Sequence, residues 1–230
     1  MKIGIISSSG GSAWNEINKI SSTIWPDLEY QIITDRQCGI EKLAQKNNIK
    51  YYRILEPDNK KFSLSVKKIL HTNKIDYVFL FFTRLIDKTL FLKYPTINFH
   101  ESLLPSFTGF KALNKAKKTK VKFFGTTAHL IDEKVDHGHI LSQSISPINK
   151  YTTLKDMEKA SFIHKIYIAL SIIEGIKNKD LIIKPQKIIW NNTSNSNQFN
   201  PTIKSIQIKK QIENLIYSNK IQNLINIDQL

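Results

Sequence analysis

Residues 1–24 read MKIGIISSSGGSAWNEINKISSTI. Lys2–Ile6 is short, apolar and β-branched, the pattern of a strand buried on both faces. Ser7 to Ser12 follow with two glycines, and a helical stretch runs from Trp14 toward Ile24. Strand, Gly/Ser turn and helix in that order open a βαβ unit. The alternation continues with predicted strands at Tyr30–Ile33, Tyr51–Ile54 and Tyr77–Phe82. Helices are predicted at Ile40–Lys46, Phe62–Leu70 and, shorter, Asp87–Phe91. Further strands are predicted at Thr96–Phe99, Lys122–Leu130 and Ile140–Ile145, with a helix at Lys111–Lys117. A long helix should run from Thr153 to Gly175, where the glycine would stop it. The expected fold class is α/β, an open, mostly parallel, Rossmann-type sheet with helices on both faces.

Beyond the long helix, Ile182–Ile189 reads as a last strand that Pro185 makes an edge or a bend. Asn191–Asn200 (NNTSNSNQFN) is polar and structure-poor. In Thr202–Ile227, Ile206, Leu215, Ile216, Leu224 and Ile225 recur at roughly helical spacing. The expected organisation is a catalytic domain over 1–190, a polar linker over 191–201 and an amphipathic helical tail over 202–230. That tail is covered either by its own domain or by a homodimer contact, because a bare apolar stripe is a sticky patch.

At 230 residues and 41% hydrophobic, the chain can bury a sizeable core. No run approaches about eighteen uninterrupted apolar residues, so no membrane span is expected. The N-terminus lacks a signal-type cleavage site. Cys38, the single cysteine, leaves no intramolecular disulfide to form and suits a reducing compartment, here the cytoplasm. The net charge of +15 favours anionic partners, but the lysines are dispersed and dense only in Lys115–Lys122. A solvated basic surface is therefore the expected reading, ahead of a nucleic-acid footprint. The six histidines show no ligand spacing, and no metal is expected.

Ligands of such sheets bind beyond the carboxyl ends of strands. Three candidates follow predicted strands: the Gly/Ser loop, the Phe82–Arg84 segment, and Asn98 with His100. In extended backbone Asn98 and His100 point the same way. Asp136 comes 36 positions after His100. A carboxamide can donate to a developing oxyanion, an imidazole can carry a proton, and a carboxylate can orient or charge the imidazole. That set suits an amine attacking an activated one-carbon carbonyl. Ser9, Gly10, Gly11 and Ser12 form a candidate phosphate loop before a helix N-terminus. His129, from the residues alone, reads as a packed strand histidine.

The run from Ile97 to Leu141 contains HESLLP at His100–Pro105, GTTAH at Gly125–His129 and VDHG at Val135–Gly138. In these motifs and their spacing it closely resembles the folate-dependent formyltransferases, within them the phosphoribosylglycinamide (GAR) branch. The resemblance implies catalysis by Asn98, His100 and Asp136, with 10-formyltetrahydrofolate as co-substrate. It implies a folate cleft lined by Phe82, Thr83, Arg84, Leu85 and Ile86 on one side and by Ile131, Asp132 and Val135 on the other. It also implies an acceptor phosphate at Ser9–Ser12, His129 near the acceptor, and folate and a small phosphorylated amine as partners.

Two positions depart from the GAR pattern. Ala13 stands where the family has Asn, and Ile163 where an acidic residue contacts ribose hydroxyls before a helical His, here His164. The acceptor thus stays open among GAR, a nucleotide-linked amino sugar and another small amine. A transfer-RNA acceptor is disfavoured, because Thr108 replaces the Arg that precedes the glycine in that branch, and the residues after Trp190 do not read as a β-barrel. A hydrolase using the same set to activate water is a further alternative.

Overall fold

The structure is a computed structural model that describes residues 1–184 and 187–230. Pro185, expected to bend a last strand, lies outside them. Two compact units emerge. One is chiefly Met1–Asn98 with Leu130–Glu133, and the other is Phe99–His129, Lys134–Ile183 and Lys187–Leu230.

The first unit runs β1 (Lys2–Ser7), α1 (Ser12–Ile24), β2 (Glu29–Thr34), α2 (Gly39–Lys46), β3 (Tyr51–Arg53), α3 (Asn59–Thr72), β4 (Tyr77–Phe81), α4 (Lys88–Phe91) and the start of β5 (Thr96–His100). Its strands lie in the order β5-β4-β1-β2-β3, and every pair is parallel. Successive side chains alternate between the faces. Ile6, Ile33, Val78 and Leu80 form one cluster with Phe62, Val66 and Leu70 of α3. Gly4 shares that face, and a Cβ there would come within 2.8 Å of Leu70. On the opposite face the Tyr30 hydroxyl meets Ser21 of α1 at 2.8 Å, and Trp14 packs edge-on to Tyr30. Helices thus cover both faces, as the β-branched strands require. Burying Phe62, Val66 and Leu70 in full stabilises the unit by about 1.5–3 kcal/mol each.

The order in which strands are added reverses between β1 and β4, with β2 and β3 on one side of β1 and β4 and β5 on the other, which makes a topological switch point. The Gly/Ser loop leaves β1 there and the 82–86 segment leaves β4. The two are tied by Ser8 Oγ and Thr83 Oγ1 at 3.1 Å.

The second unit holds α5 (Ala112–Lys118), β6 (Phe123–Leu130), β7 (Ile140–Pro147), α6 (Leu154–Lys177), β8 (Leu181–Lys184), β9 (Lys187–Trp190), β10 (Phe199–Asn200) and α7 (Ile206–Asn219). β6, β7 and β10 pair antiparallel in the order β10-β7-β6, and β8 and β9 form a separate two-stranded sheet. The single strand expected over 182–189 is therefore two. The β6–β7 register slips beside Ala128 and His129, so that Ala128 faces Ser142 and His129 faces Ile140, with Leu141 left over. This is a β-bulge, which bends a strand and re-aims the side chains beside it.

α6 starts as expected, with Thr153 and Asp156 forming a reciprocal capping box. Its end differs. Gly175 lies inside the helix, which continues to Lys177. A Cβ at Gly175 would sit 2.6 Å from the Trp190 ring. The glycine admits a neighbour and stops nothing.

The polar 191–200 segment also differs, since Phe199 and Asn200 form β10. Phe199 is buried and stacks on Tyr167 of α6 with ring centroids 3.9 Å apart. In the tail, α7 packs on α6 with Ile208, Ile212 and Ile216 buried. The expected stripe is displaced, because Ile206 is 82% exposed. Spacing of i, i+4 from Ile208 selects the face that meets α6. The chain enters α7 through the backbone N–H groups of Ile203, which donates to the Tyr167 hydroxyl at 2.9 Å, and of Lys204 and Ser205, which donate to the Glu174 carboxylate at 2.7 and 2.8 Å. The tail's apolar face is thus covered within its own unit. Among the described residues no helix is long and apolar enough to cross a membrane.

Candidate active site

β5 carries Asn98 and His100 on one face, two residues apart. Asn98 stands opposite Leu80 in the parallel β4–β5 register. The chain then turns through residues 101–111, where Phe107, Gly109 and Lys111 all take left-handed backbone conformations. Asp136 does so too, at φ 58°, in the loop between β6 and β7. Aspartate tolerates that conformation better than most residues.

The second unit brings three of the expected residues together. His100 Nδ1 lies 3.5 Å from Asp136 Oδ2, and His129 Nε2 lies 3.5 Å from Asp136 Oδ1. All three side chains are nearly inaccessible: His100 10% exposed, Asp136 7% and His129 1%. The bulge beside Ala128 explains why a strand histidine faces this loop. Gly109 N–H donates to Asp136 Oδ2 at 2.7 Å, and His100 Nε2 meets the Phe107 carbonyl at 3.0 Å.

Burial alone would raise the Asp136 carboxyl. The hydrogen bonds from His129 and Gly109 and the positive charge available on His100 and His129 outweigh it, holding the group at about 2. His129, expected beside the acceptor, is thus buried against the carboxylate.

The expected folate residues of the first unit have distinct environments. Phe82 stacks on Phe62 with centroids 5.3 Å apart, and Phe82, Ile86 and Ile131 rest partly buried on the α3-side core. Leu85 is 60% exposed. Thr83 is held by Ser8, and Asp132 is exposed. Arg84 is turned to structural use, donating to Glu56 O, Pro57 O and Asn59 Oδ1 at 2.8–3.1 Å and lying over the Phe62 ring. Val135, in the second unit, is exposed.

At the Gly/Ser loop, Ser9 Oγ meets Ser7 Oγ at 3.0 Å and accepts from Gly11 N–H. Gly11 has φ 77°, and a Cβ there would collide with Ile40 at 2.6 Å. Gly10 has open space where a side chain would be, and Ser12 begins α1 with no side-chain cap before it. Ala13 and Ile163 are both buried. His164 beside Ile163 is fully buried, with Nε2 at 3.0 Å from Ser146 Oγ, and desolvation pushes it down to about 3. No group of three or more His, Cys, Asp or Glu side chains is placed to hold a metal ion among the described residues.

Sequence reasoning missed the roles of Thr127 and Gln143. They bind the loop that follows His100 through contacts far apart in the chain, which local pattern does not encode.

The Formyl transferase family model matches residues 4–169. The chain is 30% identical over 174 residues to phosphoribosylglycinamide formyltransferase of Bacillus subtilis, covering 72% of this chain and 88% of that protein. It is 24% identical over 170 residues to formyltetrahydrofolate deformylase of Haemophilus influenzae, covering 71% of this chain and 61% of that protein. Among solved structures, glycinamide ribonucleotide transformylase 1 of Symbiobacterium toebii aligns with a TM-score of 0.74 at 22% identity, covering 84% of this chain and 94% of that one, a likeness of fold. The chain belongs to the formyl transferase family. It is a folate-dependent formyltransferase, and the family's formyl donor is 10-formyltetrahydrofolate.

Proposed function

We propose that this protein transfers the formyl group of 10-formyltetrahydrofolate to the amine of phosphoribosylglycinamide, a step of purine synthesis. The observation that carries the reading is the Asp136 carboxylate held between His100 and His129. The folate supplies an activated one-carbon carbonyl. Phe82, Ile86 and Ile131, half-buried on an apolar core beside exposed Leu85, fit a flat pterin. We assign Thr83, the main chain at Arg84, Asp132 and Val135 to the same ligand. Ser9–Ser12 at the open Gly10 is assigned to the acceptor phosphate. The catalytic domain is taken as 1–190 with an appended tail over 202–230.

A carbonyl oxygen only accepts, so the Phe107 contact places a proton on His100 Nε2, and in the neutral form of the ring the lone pair is at Nδ1, beside Asp136. Nδ1 takes the proton released as the amine adds. The imidazolium so formed faces a carboxylate, and it then returns the proton to the departing folate nitrogen. Asn98 donates its amide N–H to the formyl oxygen as that oxygen gains charge, a contribution worth about 10²–10³ in kcat. The general acid–base step adds about 10²–10⁴.

Ala13 and Ile163 favour a second reading, since neither buried side chain offers a polar atom to the phosphoribosyl group next to the GAR amine. A nucleotide-linked amino sugar is the alternative amine. Tetrahydrofolate formation, followed by absorbance with GAR and then with a panel of such amino sugars, separates the two. Turnover with GAR supports purine synthesis, and turnover with an amino sugar alone moves the acceptor. Formate release without any amine would overturn transfer in favour of hydrolysis.

A further inference from the structure

We infer that the cross-strand pair Thr127 and Gln143 is a positioning device that sets the His100 ring and the Asp136 carboxylate. The inference rests on the catalytic reading of those two residues. Thr127 on β6 and Gln143 on β7 stand directly opposite each other. Thr127 Oγ1 donates to Ser102 O at 2.7 Å, and accepts from Leu104 N–H at 3.1 Å and from Gln143 Nε2 at 3.0 Å. Gln143 Nε2 also donates to Leu104 O at 3.1 Å. Ser102 Oγ closes the turn on Ser106 O at 2.6 Å. The backbone groups of Ser102 and Leu104 are therefore held by two side chains that hydrogen-bond to neither His100 nor Asp136.

What this fixes lies immediately downstream. Phe107, at φ 56°, presents its carbonyl to His100 Nε2, and Gly109, at φ 75°, presents its N–H to Asp136. A bulky residue keeps a left-handed conformation only where its surroundings enforce it. Thr127 and Gln143 supply that enforcement. They decide which nitrogen of His100 carries the resting proton, because the Phe107 carbonyl must be in place to accept it.

The test compares Thr127→Val, which keeps shape and removes the hydroxyl, with Thr127→Ser, which keeps the hydroxyl. Two readouts are taken on the full chain: steady-state kinetics with 10-formyltetrahydrofolate and GAR, and the nitrogen NMR signature of the His100 ring. Thr127→Val is expected to lower kcat by about 10- to 100-fold, the range for a small misplacement of catalytic groups, with KM nearly constant. It should shift the His100 signature toward exchange between tautomers. Thr127→Ser should recover both. Equal losses in the two variants, or an unmoved His100 signature in Thr127→Val, would overturn the inference. If Thr127→Val fails to fold, Gln143→Met, which removes the amide at similar length, is read by the same criteria. The NMR readout needs no acceptor, so a wild-type protein inert toward GAR would overturn the assigned acceptor while the ring signature still decides the role of Thr127.

Discussion

His129, buried in a β-strand, places its Nε2 3.5 Å from Oδ1 of Asp136, on the carboxylate oxygen that His100 does not face. One carboxylate thus serves two imidazoles, and only one of them carries the proposed proton transfer. His129 acts on the charge of Asp136. Replacing His129 with Asn should raise the Asp136 carboxyl from about 2 toward the ordinary aspartate range. A carbon-detected NMR titration of that carboxyl checks this, and an unchanged midpoint would refute the role.

Asp136→Asn keeps an oxygen to accept the Gly109 N–H but removes the charge that stabilises the His100 imidazolium. The expected loss in kcat is about 10²- to 10⁴-fold, with a native circular dichroism spectrum. Near wild-type turnover would remove Asp136 from the mechanism.

The same carboxylate shapes acid stability. Its folded value is depressed, so its contribution is complete above the unfolded value near 3.8 and is lost as pH falls through about 2. His164 acts over a higher window. Burial lowers it to about 3 from 6.5, so the unfolded chain binds the extra proton between those values. Stability should therefore fall as pH drops below about 6.5, with a slope approaching about 1.4 kcal/mol per unit. Urea unfolding from pH 7 to pH 4 should show a shallower slope in His164→Leu than in the wild type. Identical slopes would mean that His164 does not control this limb.

Gly175→Ala sets two effects against each other. In an open helix the change gains up to about 1 kcal/mol. Here the added methyl would stand 2.6 Å from the Trp190 ring, and overpacking costs about 1–3 kcal/mol. The net expectation is a lower thermal midpoint. A higher one would show that Trp190 moves aside freely.

Gly175 also illustrates where local reading stops. A glycine near the end of a long apolar periodicity carries the same signal whether it ends the helix or admits a neighbour, and only Trp190, 15 positions on, distinguishes the two. Phe199 behaves likewise. A lone aromatic among Asn, Ser and Gln reads as linker until Tyr167 stacks on it and β7 pairs beside it. The parallel half was legible because Ile3, Ile5, Ile6, Ile32 and Ile33 have one reading, buried on either face. At the site, His100 and Asp136 announced themselves through HESLLP and VDHG, whose residues sit close in the chain. Thr127 lies within GTTAH and Gln143 within no motif, and neither residue carries a mark of the loop it binds. Arg84 had a charge visible in the sequence, but its use in holding residues 56–59 was not.

The way the chain enters α7 bears on how the protein is made. Ile203, Ile208, Ile212, Ile216, Ile221, Leu224 and Ile225 are buried in the second unit, and Glu174 and Tyr167 wait for backbone N–H groups from residues 203–205. During synthesis the ribosome delivers His100, His129 and Asp136 long before those residues. The parallel sheet through β4 can form while translation continues, but the unit that holds the His–Asp–His cluster has to wait for residues 203–225. A nascent polypeptide stalled before that stretch should expose the apolar flank of α6 and be an early client for chaperones.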